Sequence, residues 1–340
     1  MNKRKVLIIY TGGTIGMVRN HISGGLVAFD FNHLFEQIPE LRRLDVELTS
    51  ISFEKPIDSS EIHPGVWKAL ASLIHENYDL YDGFVVLHGS DTMAFTASAL
   101  SFMLQGLKKP IILTGSQLPI GTIRTDGKEN FITAVEIAAM ADSKGFALVQ
   151  EVAIYFEYSL YRGNRTSKVS ASEFEAFKSG NFPELARAGV EIKFDEHALY
   201  RSNLDDLLYF PEIDNRIGHI SLYPGINFEF YSSLFDVNLL KGIVLSTFGS
   251  GNGPNDPKMI QLMEQYIANG GHVLNITQCW SGAVQQGKYD ASKQFLNIGV
   301  LGGGALTTEA AITKMMCLLG KGIDDQSFRK EIVRNLCGEM

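Results

Sequence analysis

Short apolar runs, each ended by glycine or polar residues, recur along the first half of the chain. The sequence predicts buried strands over 6–10, 84–87, 111–113 and 153–156, because apolar runs of this length that stop at a turn are typical of β-strands. These runs are apolar throughout instead of alternating with polar positions. Continuous apolar strands indicate a parallel sheet that is covered on both faces.

Helical patterns lie between these strands. One begins at Pro64, since proline is tolerated in the first turn of a helix, and its apolar positions share one face: Val66, Leu70, Leu73 and Ile74. Two further helices are predicted over 92–104 and 129–141. Strands and helices that alternate in this way predict parallel strands with right-handed crossovers, and ligands bind beyond the carboxyl ends of such strands.

The pattern weakens after Phe174 and resumes in the second half of the chain. Strands are predicted over 217–222, 242–247 and 272–276, and helices over 257–269, 307–319 and 324–337. A chain of 340 residues is too long for one ordinary core. We therefore predict an α/β fold with a larger N-terminal parallel-sheet α/β domain over 1–195, a polar linker over 196–215 and a smaller C-terminal α/β domain over 216–340.

Charge and composition exclude several classes of protein. The chain has 38 acidic and 30 basic residues, so we expect no nucleic-acid partner, since phosphate backbones bind clustered positive charge. The run at 6–10 is too short for a signal peptide, and no run approaches the ~18 apolar residues of a membrane span. We expect a cytoplasmic protein without membrane contact. Three cysteines without a C-x-x-C pair and eight scattered histidines predict neither a disulfide framework nor a metal site.

The first glycine-rich loop, 11–17, reads Thr-Gly-Gly-Thr-Ile-Gly-Met and carries Thr14. It is not a phosphate-binding loop, because neither G-x-G-x-x-G nor G-x-x-x-x-G-K-[ST] is present, and a dinucleotide-binding enzyme is excluded with it. Two interpretations remain. The loop is either a tight turn in which glycine supplies positive φ angles, or it presents a reactive hydroxyl on a backbone whose N–H groups bind an oxyanion.

A second loop, 88–92, reads His-Gly-Ser-Asp-Thr and offers a hydroxyl and a carboxylate. Ser90 and Asp91 either cap the following helix, as these residue types commonly do, or take part in chemistry. His88 closes a buried strand, and this position favours a hydrogen-bonded structural histidine over a catalytic base.

Two more segments contain groups that could bind or react. Ser59 and Ser60 precede the helix at Pro64, where they either cap a helix or bind a substrate carboxylate. Arg162 and Lys168 lie in the segment 160–168, which is either a solvated turn or part of a site. A catalytic lysine must be partly buried beside a hydroxyl or carboxylate group.

Together these segments form an ordered set of blocks: TGGTIGM, DSS, HGSDTMAFTASALSFML, TGSQLP, RTDG, LYRGNRTSK, YPGI, FGSGNGP and ITQCWSG. The set resembles the bacterial type I (cytoplasmic) L-asparaginases, from about residue 5 to about residue 338. The resemblance implies an asparaginase/glutaminase-like fold that hydrolyses L-asparagine to L-aspartate and ammonia without a metal or organic cofactor. It also implies a homotetramer built as a dimer of dimers.

The resemblance also implies roles for individual residues. Thr14 would be the nucleophile, and an acyl-enzyme would form on it. Ser90, Asp91 and Lys168 would form a hydroxyl–carboxylate–lysine group. The substrate would be bound by Ser59, which faces its α-carboxylate, by Asp91, which faces its α-ammonium group, and by Ser60 and Ser90.

The chain departs from the family pattern at two places. The family usually has threonine where Ser90 stands, so we expect reduced or altered activity, because serine lacks the methyl group that restricts the rotamer. Many relatives have a tyrosine in the loop after TGGTIGM, whereas 18–27 contains none and Leu26 lies near its place. In some relatives a tyrosine from the block after TQC enters the active site of a neighbouring subunit, and Tyr289 matches that position. Tyr289 is either such a residue or an ordinary surface tyrosine.

Some cytoplasmic members are regulated by asparagine at a second site. The corresponding candidates are Ser167 and Cys279, but the expected arginine is Ser246 in this chain, which argues against the site. We interpret Cys279 as a small buried residue and not as a reactive thiol.

Two alternatives to asparagine hydrolysis stay open. One keeps the fold and changes the substrate, to a glutaminase–asparaginase or a tRNA-amide amidotransferase component, although the acidic composition argues against the tRNA version. The other is a non-catalytic amino-acid-binding sensor, which the serine at position 90 and the missing loop tyrosine motivate.

Overall fold

The computed structural model describes the backbone of residues 3–19, 26–28, 38–287 and 290–340, and their side chains except at 17–19, 26–28 and 290–292. The chain divides into two compact units, Met1–Pro211 and Glu212–Met340. The division falls inside the segment 196–215 that the sequence predicts as a linker.

The first unit contains the strands β1 (Arg4–Tyr10), β2 (Met17–Arg19), β3 (Leu26–Ala28), β4 (Val46–Ser52), β5 (Gly83–Leu87), β6 (Leu104–Gln105), β7 (Ile111–Thr114), β8 (Val152–Phe156), β9 (Ser159–Arg162), β10 (Ser167–Lys168), β11 (Phe177–Lys178), β12 (Ala186–Ala188), β13 (Ile192–Phe194) and β14 (Leu208–Tyr209). Its α-helices are α1 (Pro64–Glu76), α2 (Met93–Met103) and α3 (Gly127–Ala139). Short 3₁₀ turns include Thr14–Gly16, Ser59–Glu61, Ser90–Thr92 and Gly163–Arg165. Strand β14 pairs with β6, so part of the expected linker is folded onto this unit.

An eight-stranded sheet of order β13-β12-β9-β8-β7-β5-β1-β4 forms the centre of the first unit. The five neighbouring strands β4, β1, β5, β7 and β8 are parallel to one another, as the sequence predicts. Strands β9, β12 and β13 extend this sheet in antiparallel pairing. The register pairs Tyr10 with Leu87, and Leu87 with Thr114. The strands β1, β5 and β7 therefore end at the same level, and the loops that follow them share one edge of the sheet.

Strand burial explains which strands the sequence reveals. The strands β5, β7 and β8 are buried at every position, so their apolar runs are continuous. Strand β4 lies at the edge of the sheet and alternates polar with apolar residues, and it has no counterpart among the predicted strands. The strands β9 to β13 are two to four residues long, too short for a periodic signal.

The second unit contains the strands β15 (Ile217–Ser221), β16 (Gly242–Thr247), β17 (His272–Thr277) and β18 (Leu301–Gly302), which pair in parallel in chain order. Its helices are α4 (Pro257–Ala268), α5 (Asp290–Asn297), α6 (Thr308–Gly320) and α7 (Asp325–Ile332). The predicted helix over 324–337 is therefore too long. Beyond α7 the Glu339 carboxylate accepts backbone N–H groups of Leu336 and Cys337, and it pairs at 2.7 Å with Lys314, whose side chain is also fully buried.

Among the helices within the described ranges, none has both the length and the apolar composition that crossing a membrane requires. Within the same described residues, no three or more His, Cys, Asp or Glu side chains lie together in a group suited to a metal ion.

Candidate active site

The loops at the shared sheet edge contact each other through their backbones. A Cβ atom on Gly13 would lie 2.4 Å from the Gly89 nitrogen, and a Cβ on Gly89 would lie 2.6 Å from the Ser59 side chain. A Cβ on Gly115 would lie 2.4 Å from the carbonyl oxygen of His88. Any side chain at these positions would push the loops apart, so the glycines of the TGGT, HGSDT and TGSQ blocks are needed for close packing.

Thr14 follows Gly13 and opens the 3₁₀ turn Thr14–Gly16, where its side chain is half-buried. The Tyr10 hydroxyl, held beneath the turn, donates to the Gly16 carbonyl at 3.1 Å. Burial raises the pKa of Tyr10 to about 12, so this phenol is a neutral donor that supports the turn and not a base.

Lys168 joins two residues of the second loop. Its Nζ donates to Ser90 Oγ at 2.8 Å and to Asp91 Oδ1 at 2.6 Å. The lysine side chain is 16% exposed and the aspartate 64%, so the group opens to solvent on the carboxylate side. The N-cap of α2 is Thr92, so the capping interpretation of Ser90 and Asp91 is wrong.

Gln117, in the TGSQ loop, is the second hydrogen-bond partner of Ser90. The Ser90 hydroxyl donates to Gln117 Oε1 at 3.3 Å, and Gln117 Nε2 donates to the Glu173 carbonyl at 3.0 Å. The backbone N–H groups of Gln117 and Leu118 both donate to the buried carboxylate of Asp126. Asp126 is the N-cap residue of α3, but its carboxylate accepts no backbone N–H of that helix and binds the loop instead.

The two serines of the DSS block differ in environment. Ser59 is buried against Gly89, and its carbonyl accepts the Thr92 hydroxyl at 2.7 Å. Ser60 is exposed, and both its N–H and its hydroxyl donate to Asp58 Oδ1, which lowers the pKa of that carboxyl group. The structure thus brings Ser59, but not the Ser60 hydroxyl, next to the second loop.

His88 is fully buried in a chain of hydrogen bonds. Its Nδ1 donates to the Gly89 carbonyl at 2.7 Å, so the neutral ring accepts the Thr96 hydroxyl at Nε2, and Trp67 Nε1 in turn donates to Thr96. Burial lowers the pKa of His88 to about 4. The interpretation of His88 as a structural residue agrees with these contacts.

The RGNR segment is buried, which corrects the alternative of a solvated turn. Arg162 Nε donates to Glu151 Oε2 at 2.6 Å, and the guanidinium group lies 4.2 Å from the centre of the Phe182 ring. Arg165 is also buried, and its guanidinium group lies over the same ring. These contacts fix the start of the segment that leads to Lys168 in β10.

The remaining candidates lie elsewhere. Tyr289 falls outside the described residues. Cys279 is exposed, which contradicts the expectation that it is buried, because it follows the end of β17 instead of lying within the strand. Ser246 is buried in β16 with its Oγ 2.8 Å from His219 Nε2, so a serine–histidine pair occupies the place where the resemblance leads us to expect an arginine.

Sequence reasoning missed Gln117 and Asp126. Both lie in blocks that carry the family resemblance, TGSQLP and RTDG, but the resemblance implies no role for either residue. The signal was their position, since TGSQ directly follows a strand that ends at the same sheet edge as the TGGT and HGSDT loops.

Two family models match the chain, one in each half. A model described as "Asparaginase, N-terminal" matches residues 5–200, and one described as "Glutaminase/Asparaginase C-terminal domain" matches residues 216–331. L-asparaginase 1 of Escherichia coli (strain K12) is 38% identical over 341 residues, which cover 100% of this chain and 99% of that protein.

Solved structures agree with the sequence matches. L-asparaginase I from Vibrio cholerae O1 biovar eltor superposes with a TM-score of 0.90 at 36% identity, and the match covers 99% of both chains. The thermostable L-asparaginase from Thermococcus kodakarensis gives a TM-score of 0.89 at 32% identity, again over 99% of both chains. The similarity therefore extends over both units.

Proposed function

Since the chain belongs to the asparaginase family, we propose that it hydrolyses the side-chain amide of L-asparagine through an acyl-enzyme on Thr14. The observation that carries the proposal is the double contact of Lys168 with Ser90 and Asp91, in a loop that packs against the one containing the half-buried Thr14. A merely structural turn does not need a lysine that is largely buried beside a hydroxyl and a carboxylate.

The substrate would be held by its α-amino-acid groups. We assign the α-carboxylate to Ser59, whose side chain is buried beside Gly89, and the α-ammonium group to Asp91, whose carboxylate is largely exposed. A carboxylate that accepts an ammonium group makes a charge-assisted bond, which is stronger than a neutral one. Ser60 fits this role less well, because its hydroxyl is engaged by Asp58.

The reaction would proceed in two steps. Thr14 Oγ attacks the side-chain amide carbon, the C–N bond breaks, and the nitrogen leaves as ammonia after taking up a proton. Water then attacks the ester on Thr14 and releases aspartate. Backbone N–H groups near Thr14 and Ser90 would stabilise the oxyanion in both steps, an effect worth roughly 3–4 kcal/mol per donor in well-studied enzymes.

The base that takes the Thr14 proton is proposed to be Tyr289. A phenol has a pKa of about 10, so this role requires a cationic or hydrogen-bonding neighbour that stabilises the phenolate. Replacing Tyr289 with Phe removes only the phenolic hydroxyl group and keeps the ring. A large loss of kcat would support the assignment, whereas unchanged turnover would show that Tyr289 is not the base.

The proposed activity is tested by measuring ammonia released from L-asparagine by purified protein, with a Thr14→Ala variant as control. Ammonia release by the wild type that exceeds the variant by about 100-fold or more supports a covalent role for Thr14. No release above the variant would sink the enzyme interpretation and leave an amino-acid-binding sensor. Measuring kcat/KM for L-glutamine in parallel decides the substrate preference. A measurement is needed because the one methylene by which the two substrates differ is worth only about 1–3 kcal/mol of discrimination.

We further propose a cytoplasmic homotetramer, a dimer of dimers, because the chain belongs to the same family throughout its length. Sedimentation equilibrium over a range of protein concentrations tests this assembly. A monomer at all concentrations would contradict it.

A further inference from the structure

We infer that Gln117 is a positioning residue that holds the Ser90 hydroxyl in one orientation toward Lys168. The inference rests on the proposed function, in which Ser90 lies in the reacting group, and it concerns a residue outside that group. Its basis is a continuous set of hydrogen bonds from Asp126 through Gln117 to Ser90.

The orientation of the Gln117 amide is determined by its partners. The Glu173 carbonyl can only accept, so it takes the Nε2 group of Gln117, and Oε1 is thereby turned toward Ser90. An amide oxygen only accepts hydrogen bonds, and so the Ser90 hydroxyl must donate its single proton to Gln117. A lysine ammonium group only donates, and the lone pairs of Ser90 Oγ are left for Lys168 and for a reacting group.

Serine needs such a partner more than threonine does. A β-branched residue has a strongly restricted χ1 angle, whereas the serine hydroxyl can occupy three staggered positions. Within the described part of the chain, two side chains hydrogen-bond to Ser90 Oγ, those of Lys168 and Gln117. With Gln117 removed, only the flexible lysine would select the rotamer.

Gln117 is itself rigidly placed. Its backbone N–H lies 2.9 and 3.1 Å from the two carboxylate oxygens of Asp126, which is buried and also accepts from Asn130 Nδ2 at 3.3 Å. Its side chain reaches the Glu173 carbonyl, in the segment that follows Lys168 along the chain. Gln117 therefore links the loop that bears Ser90 to the segment that bears Lys168.

The test compares Gln117→Met, which keeps the side-chain length and removes the acceptor, in the wild-type and Ser90→Thr backgrounds. In the wild-type background, kcat for ammonia release from L-asparagine should fall about 3- to 10-fold, the effect of one neutral hydrogen bond, while KM changes little. In the Ser90→Thr background, the same substitution should lower kcat by less than about 2-fold, because the added methyl group restricts the rotamer.

Gln150→Met is the matched control. Gln150 is a half-buried glutamine whose amide donates to the Ala147 carbonyl, and its substitution should leave kcat unchanged.

A readout that needs no activity accompanies the kinetics. Crystal structures should show one Ser90 rotamer in the wild type and more than one in Gln117→Met. Equal losses of kcat in both backgrounds, or a single unchanged Ser90 rotamer in the variant, would overturn the role of Gln117. A wild type that releases no ammonia would instead refute the proposed function, and the rotamers would still decide the role of Gln117.

Discussion

Gly13 and Gly89 lie so close together that a Cβ atom on Gly13 would be 2.4 Å from the Gly89 backbone nitrogen. These residues immediately precede Thr14 and Ser90, so the proposed nucleophile and the lysine-bound hydroxyl are placed by one backbone contact. The contact requires glycine at position 13, and Gly89 must be glycine because a Cβ there would lie 2.6 Å from the Ser59 side chain.

Gly13→Ala should therefore abolish activity as well as lower stability. A displacement of about 1 Å at a reacting group can cost about 100-fold, and we expect kcat to fall at least that far. Gly13 has a φ of +86°, where alanine costs about 1–2 kcal/mol even without a clash. Gly145, with a φ of +88° and no atom within 4 Å of its added Cβ, provides the control. Gly145→Ala should lower the free energy of unfolding by a similar backbone term and leave kcat unchanged. Equal turnover in the two variants would contradict the argument.

Lys168→Met should remove most of the activity and leave the protein folded. Without the ammonium group that contacts Ser90 and Asp91, both side chains of the proposed catalytic group lose their positioning, and kcat should decrease by about 100-fold or more. Stability should change by less than about 1 kcal/mol, because the Asp91 partner is 64% exposed. Lys178→Met, which replaces an exposed lysine on the paired strand β11, is the control and should change neither the rate of ammonia release nor the urea midpoint. Near wild-type turnover by Lys168→Met would remove Lys168 from the site.

Buried His88 should make folding sensitive to mild acid. Its pKa is about 4 in the folded chain and 6.5 when unfolded, so the unfolded state binds more protons between these values. Stability is then lost as the pH falls from 6.5 toward 4, by about 2 kcal/mol at pH 5. His88→Gln removes this titration and should lose correspondingly less unfolding free energy between pH 7.5 and pH 5 than the wild type. An identical decrease in both proteins, which share their other titratable groups, would refute the assignment.

Breaking the buried pair of Arg162 and Glu151 should be costly. Arg162→Met leaves a buried carboxylate without its cation, for which about 3–5 kcal/mol is typical. Arg187→Met removes a surface pair with Glu184 and should cost less than about 1 kcal/mol. Urea unfolding of the two variants measures the difference. Similar midpoints would show that the Arg162 pair is not a stabilising element.

The sequence reveals the centre of the fold better than its margins. Strands such as β5 and β7 are buried on both faces, so they appear in the sequence as continuous apolar runs that predict a strand. Strand β4 lies at the edge of the sheet, so part of it is exposed. The antiparallel strands β9, β12 and β13 are short, and their pairing depends on partners that lie elsewhere in the chain. Local pattern carries no information about such partners.

The candidate site divides in the same way. Thr14, Ser90 and Lys168 belong to blocks that carry the family resemblance, so they could be selected from the sequence. A glutamine has no distinctive chemistry of its own, and the placement of Gln117 depends on the Glu173 carbonyl, 56 residues further along the chain. The capping interpretation of Asp91 failed for a related reason, because a distant lysine competes for the carboxylate.

The strand order of the first unit has a consequence for the timing of synthesis and refolding. Strand β1 lies between β4 and β5, and Lys168 emerges from the ribosome long after Thr14, so the proposed catalytic group cannot be complete until the chain has grown beyond β10. Parallel strands far apart in the chain pair slowly, since their loops must close first. During refolding, catalytic activity should consequently return after helical circular dichroism, as a late marker of sheet closure.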